Sequence, residues 1–142
     1  MDITYNIPHV FYPGSSLDEN ADALRILLDG LIRLNLAYLH HHSVPPLFKA
    51  GVVYGRTEIW DSIPALYQKK FGDCKSLTAA RCAELRMKGV EAKPVFRFNP
   101  RLNGGGLDFH ILVQNPDFSF EDPSKVLGME EYERRKNKRR TM

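Results

Sequence analysis

The chain has no apolar run near the ~20 residues that a membrane-spanning helix needs, and its start lacks the pattern of a secretory leader. It therefore reads as a cytoplasmic protein or part of a particle assembled in the cytosol, with no membrane partner. Cysteine is scarce: Cys74 and Cys82 are the only two. They fall on one expected helix, where their spacing is a rise of ~12 Å. That exceeds the ~7 Å between Cα atoms that a disulfide bridges, so both are expected as free thiols in a reducing compartment. No C-x-x-C pair and no helical H-x-x-x-H occurs, so neither zinc nor any other cofactor is expected. His40, His41 and His42 are consecutive. Side chains so close along a helix point in different directions, so the run reads as a polar helix end lying near the negative pole of the dipole. Gly104-Gly105-Gly106 has no Lys-Ser/Thr after it, which excludes a phosphate loop. It reads as a hairpin tip, and its place just before His110 makes it a candidate lid. There are no internal repeats.

The formal net charge is +3, but it is unevenly placed. Residues 130–142 carry six Lys or Arg and three Glu, which leaves 14 basic and 14 acidic residues in the rest of the chain. Basicity belongs to the terminus. A short charged run of this kind reads as a flexible, solvated tail, and no specific nucleic-acid partner is expected of it.

What remains is an ordinary globular composition: 142 residues, 43% hydrophobic and 26% charged. That is one domain by length, burying about two-thirds of its unfolded surface. Ile3, Tyr5 and Ile7 alternate in a short strand or extended arm. Ser16 and Glu19 have the spacing of a capping box before a long helix from Leu17 to about Leu39. Pro45-Pro46 forces an extended linker. Phe48 to Tyr54 is expected as a short strand, and Glu58 to Lys69 as a helix with Pro64 in a first turn or kink. Glu91 to Phe98 is expected as a strand.

The chemistry centres on Phe71-Gly72-Asp73-Cys74. Asp73 is a good N-cap residue, which puts Cys74 at the first position of a helix. The positive end of the helix dipole there favours a thiolate over a thiol. Leu77, Ala80, Ala83 and Met87 follow at helical spacing as an expected apolar face. Downstream, Leu107 to Gln114 alternates like a strand and contains His110. If Asn115-Pro116-Asp117 forms the loop, Gln114 pairs with Phe118 and His110 lies opposite Asp122. Directly opposed residues have Cβ atoms ~5 Å apart, close enough for a carboxylate to orient an imidazole. A one-residue slip would place them on opposite faces. For an oxyanion, the candidate donors are the Cys74 amide with Gln68 or Trp60, although Gln68 alone reads as a solvated residue and Trp60 as core. Cys82 reads as a small buried hydrophobe.

Gly72-Asp73-Cys74 opening a helix, then His110, then Asp122, resembles the transglutaminase-like superfamily of papain-like thiol enzymes over residues 59–129. Gln68, six residues before the cysteine, matches the spacing of the oxyanion glutamine of papain-like proteases. Glu121-Asp122-Pro123-Ser124 with Leu127-Gly128-Met129 is similar to small phage-encoded members. The flanking domains and acidic calcium loop of the large calcium-dependent transglutaminases are lacking. The resemblance implies an α+β fold with a papain-like, transglutaminase-like core, in which the cysteine helix packs on a small antiparallel sheet containing Val95, His110 and Phe120. Residues 1–129 would be a single domain, with residues 1–58 as its N-terminal helical part and residues 130–142 as the tail. The implied activity is acyl transfer or amide hydrolysis by a Cys74-His110-Asp122 triad on a peptide or protein substrate. The competing expectation is a non-catalytic structural component of a phage particle, with other phage structural proteins as partners.

Overall fold

The computed structural model describes residues 16–100 and 107–140. The expected N-terminal arm and the triple glycine lie outside the described residues.

Helix α1, Leu17–His41, starts where the Ser16 hydroxyl accepts a hydrogen bond from the Glu19 amide at 3.1 Å. Its buried face carries Ala21, Leu24, Leu28, Leu31, Ile32 and Asn35, a helical spacing that turns one side to the core. At its end His40 and His41 are exposed, and the His42 ring stacks on Tyr38 with 4.2 Å between centroids. Among the described residues no cluster of His, Cys, Asp and Glu is placed to hold a metal.

The segment expected as a strand from Phe48 is mostly something else. Residues Leu47–Lys49 form one 3-10 turn, and only Val53–Tyr54 is extended, as strand β1. Gly51 adopts a φ of 77°, a left-handed turn that a side chain resists, and it separates the two pieces. Helix α2 is shorter than expected, Ile63–Lys69, with Pro64 in its first turn where no amide donor is needed. Left-handed Lys70, at φ 69°, closes it. Strand β2, Phe71–Gly72, then pairs with β1 in parallel, Tyr54 beside Gly72.

Helix α3, Cys74–Met87, runs between two hydrophobic clusters. Ala79, Cys82 and Ala83 pack toward α1 and the main sheet. Leu77 and Ala80 pack toward β1 and α2. The single apolar face read from sequence is therefore too narrow. Alanine and serine let neighbours close in all round, as in a central helix. Met87, assigned to that face, is instead 40% exposed at the helix end.

The main sheet is antiparallel, in the order β3 (Lys93–Pro100), β4 (Leu107–Gln114), β5 (Phe120–Glu121). It contains Val95, His110 and Phe120, as expected. Helix α3 packs on β4, so the architecture is mixed α+β with a helix on a small antiparallel sheet. Helix α4, Pro123–Val126, follows. Residues expected as a loose tail form helix α5, Met129–Arg140. Met129 and Tyr132 pack against the second cluster, with the Tyr132 ring edge-on to Tyr54 at 5.3 Å. The charged composition hides this, because one aromatic and one methionine suffice to anchor the helix's first turn. No helix among the described residues is long and apolar enough to cross a membrane.

Candidate active site

Local sequence sets the position of the cysteine. The Asp73 carboxylate caps α3 by accepting from the Lys75 amide at 3.2 Å. The same carboxylate is paired with the Lys75 ammonium, which also donates to the Thr57 carbonyl at 3.0 Å. This pairing offsets a negative charge that would otherwise oppose a neighbouring thiolate. Just before it, Gly72 has no room for a side chain: an added Cβ would lie 2.7 Å from a Leu66 methyl. Glycine therefore lets the strand pass close over α2 and deliver Cys74 to the helix start.

One helical turn on from Cys74, the Thr78 hydroxyl donates to the Ile111 carbonyl at 3.1 Å. This bond pins α3 to β4 one residue from His110. The second bond that matters is across the imidazole: His110 Nε2 lies 2.9 Å from Asp122 Oδ2. Cys74 lies close enough to the same ring to raise its affinity for a proton, second to Asp122. Cys74, His110 and Asp122 are thus brought together in that order.

The route to Asp122 differs from the one the sequence suggested. Strand β5 begins at Phe120, which pairs with Gln114, so the register is two residues away from the expected Gln114–Phe118 pair. Phe118 sits in the turn at φ 66°, and Asn115 exchanges backbone bonds with Ser119 and Phe118. Because strand faces repeat every second residue, a shift of two leaves the facing side unchanged. Asp122 itself lies beyond the strand, as the N-cap of α4, where Oδ1 accepts from the Lys125 amide at 3.2 Å.

The charges reinforce one another. Hydrogen bonds to Asp122 and then to Cys74 push the His110 imidazole up to about 9, while burial pulls the other way. Burial pushes the Asp122 carboxyl up, but the His110 bond and charge, together with Lys125, outweigh it and hold the group below its usual range. Cys82 is fully buried, and burial pushes its thiol up to about 12. Both cysteines are buried, and they remain free thiols.

The raised His110 value has a stability consequence with a definite sign. A group bound more tightly to its proton in the folded state stabilises fully below its unfolded value, ~6.5. That contribution is lost as pH rises through about 9. Urea unfolding should accordingly show a decline between pH 6 and 9.5 that is smaller in Asp122→Asn by on the order of 1–2 kcal/mol, allowing for solvent screening. Cys82 adds its own decline in both proteins, so the difference between them is the quantity to measure. Equal slopes would mean that Asp122 does not hold the imidazolium.

The two side chains expected near an oxyanion part company. Trp60 is half-buried and packs in the cluster that contains Cys74, on a loop held where the Asp61 amide donates to the Ser76 hydroxyl at 2.8 Å. Gln68 is exposed on α2 and makes no hydrogen bond to the site. Between Gln68 and Cys74 the chain turns at Lys70 and forms β2, so a spacing of six residues does not bring the amide over the sulfur.

Tyr54 escaped the sequence reading. It is 9% exposed, and its phenol is pushed up to about 12 by burial first and by the Cys74 sulfur second, with Arg56 opposing. It reaches the site through the two-residue β1–β2 pairing and through its own amide, which donates to the Leu127 carbonyl at 2.9 Å. Neither link has a periodic signature. A cleft of about 400 Å³ opens beside it, lined by Arg56, Phe71, Leu127, Tyr132 and Arg135 among others.

No family model matches the chain, and neither a curated protein nor a solved structure matches it.

Proposed function

We propose that the protein is a thiol-dependent acyl-transfer or amide-hydrolysing enzyme with a papain-like, transglutaminase-like core. The observation that carries this reading is a single imidazole hydrogen-bonded to a half-buried carboxylate and lying close to a helix-start sulfur. His110 takes the Cys74 proton, and the imidazolium is held by Asp122. The thiolate attacks an amide or ester carbonyl, forming a C–S bond. The tetrahedral oxygen is met by the Cys74 amide, which as a first-turn donor has no carbonyl within its own helix. Trp60, from its loop, and Tyr54, through its hydroxyl, are the side-chain donors nearest that role. The C–N or C–O bond then breaks as His110 protonates the leaving group. Water resolves the thioester in a hydrolase, and an amine does so in a transferase. The substrate class is a peptide or protein amide, and the cleft beside Tyr54 is where its flanking residues would rest.

The test is an activated ester such as p-nitrophenyl acetate. A burst of one nitrophenolate per chain is expected for the wild type and for Cys82→Ala, and none for Cys74→Ala. A burst that survives in Cys74→Ala, or its absence in the wild type, would overturn the assignment.

A further inference from the structure

The face of α1 turned away from the core is not polar. Ile26 and Leu34 are 73% and 64% exposed, among the largest apolar exposures in the described chain. Gly30 lies midway between them, and Ala23 and Ala37 continue the line one turn further out on each side. At 3.6 residues per turn these five positions fall within an arc of roughly 80°. Ionisable side chains enter this arc only near the two helix ends, at Glu19 and His41, whereas a solvated face carries them throughout.

The order along the stripe is a palindrome: Ala23, Ile26, Gly30, Leu34, Ala37. Read in either direction it is small, large, glycine, large, small. Gly30 costs roughly 1 kcal/mol against alanine inside a helix. Among the described residues nothing requires it, because an added Cβ would meet no atom within 4 Å. What a glycine at the centre of such a face does allow is the close approach of another helix.

We infer that α1 is a homodimerisation surface, on which two copies pack antiparallel about a two-fold axis at Gly30. This inference is independent of the thiol chemistry. The axis sets Ile26 against the partner's Leu34 and Ala23 against the partner's Ala37, with the two glycines in contact. An isologous contact of this kind requires a self-complementary patch, as the palindrome is. The charges agree. Asp29 and Arg33 form an exposed ion pair at 2.9 Å on one flank of the stripe. The two-fold axis brings that flank beside its own copy in reverse, so Arg33 comes within reach of the partner's Asp29 and Asp29 within reach of the partner's Arg33. A parallel pairing, or a different axis, would lose both matches. Outside residues 130–142 the basic and acidic residues balance, so little overall repulsion opposes association.

The full-length chain in sedimentation equilibrium over 1–100 µM should give a dimer mass. Ile26→Glu/Leu34→Glu should give a monomer with an unchanged far-UV circular dichroism spectrum and a cooperative thermal transition that no longer shifts with protein concentration, since both sites are exposed. Geometry supplies a second arm: Gly30→Cys should form a disulfide-linked dimer on mild oxidation, whereas Ala37→Cys, far from its own copy across the axis, should not. A monomeric wild type throughout that range would overturn the inference. So would a dimer that survives the double glutamate substitution, or cross-linking through Ala37→Cys as efficient as through Gly30→Cys.

Discussion

Replacing His110 with alanine should slow the alkylation of Cys74 by iodoacetamide at pH 6 by on the order of 100-fold, the scale on which a positioned base contributes to reactivity. In the intact protein the imidazole, pushed up to about 9, keeps its positive charge beside the sulfur at that pH. Substitution leaves the helix terminus as the remaining favourable field, and a helix end contributes less than a contacting cation. The second cysteine is an internal control. Cys82 is fully buried with its thiol pushed up to about 12, so labelling mapped by mass should fall on Cys74 alone below pH 7. Cys74→Ala should therefore abolish labelling, and Cys82→Ala should leave it intact. Equal losses in the two cysteine variants, or no slowing in His110→Ala, would separate the sulfur from its supposed base. Asp122→Asn should slow the reaction less than loss of the ring does, since it removes the orienting charge and leaves the imidazole in place.

Ending the chain after Gly128 should lower stability by about 1–3 kcal/mol, below the ~3–5 kcal/mol of a fully buried aromatic because Tyr132 is only partly covered. The Tyr132 ring stands edge-on to Tyr54, and Arg56 and Glu133 approach to 3.5 Å beside it. Tyr54 in turn borders the Cys74 sulfur. Truncation should therefore also reduce Cys74 alkylation several-fold, and Tyr132→Ala should reproduce most of both effects. Neutralising the exposed Arg134 and Arg139 by glutamine should change stability by less than about 0.5 kcal/mol, as exposed substitutions do. Urea midpoints and alkylation rates of the three proteins would decide the matter. An unchanged truncated protein would return α5 to the status its composition suggests, a solvated appendage.

The sequence reading and the structure diverge in an instructive way. The cap at Asp73, the helix that follows it and the strand around His110 are local matters of side-chain type and periodicity, and they were legible. The partnership of His110 with Asp122 was legible although its stated route was not. The loop is wider by one pair, and Asp122 caps a helix instead of lying in a strand. A two-residue period forgives a two-residue error, whereas an odd one would have put the carboxylate on the far face. Tyr54 and Tyr132 were not legible, because they meet through a two-rung parallel pairing and a single ring contact. Gln68 shows the converse fault: its position counted back from the cysteine was suggestive, yet an intervening turn and strand leave it in solvent.

The split of the site among distant segments bears on how the protein is made. Cys74 lies on the central helix, but His110, Asp122 and the Tyr132 ring behind Tyr54 all come later in the chain. A ribosome releases His110 about 36 residues after the cysteine, roughly 2–7 s at 5–20 residues per second. Throughout that interval the nascent sulfur lacks the imidazole that folding places beside it, a state that alkylation of stalled chains would read directly. On the proposed function, catalytic power is thus withheld until His110 and Asp122 have followed the cysteine out of the ribosome, so a chain stalled before them poses no hydrolytic hazard to its neighbours.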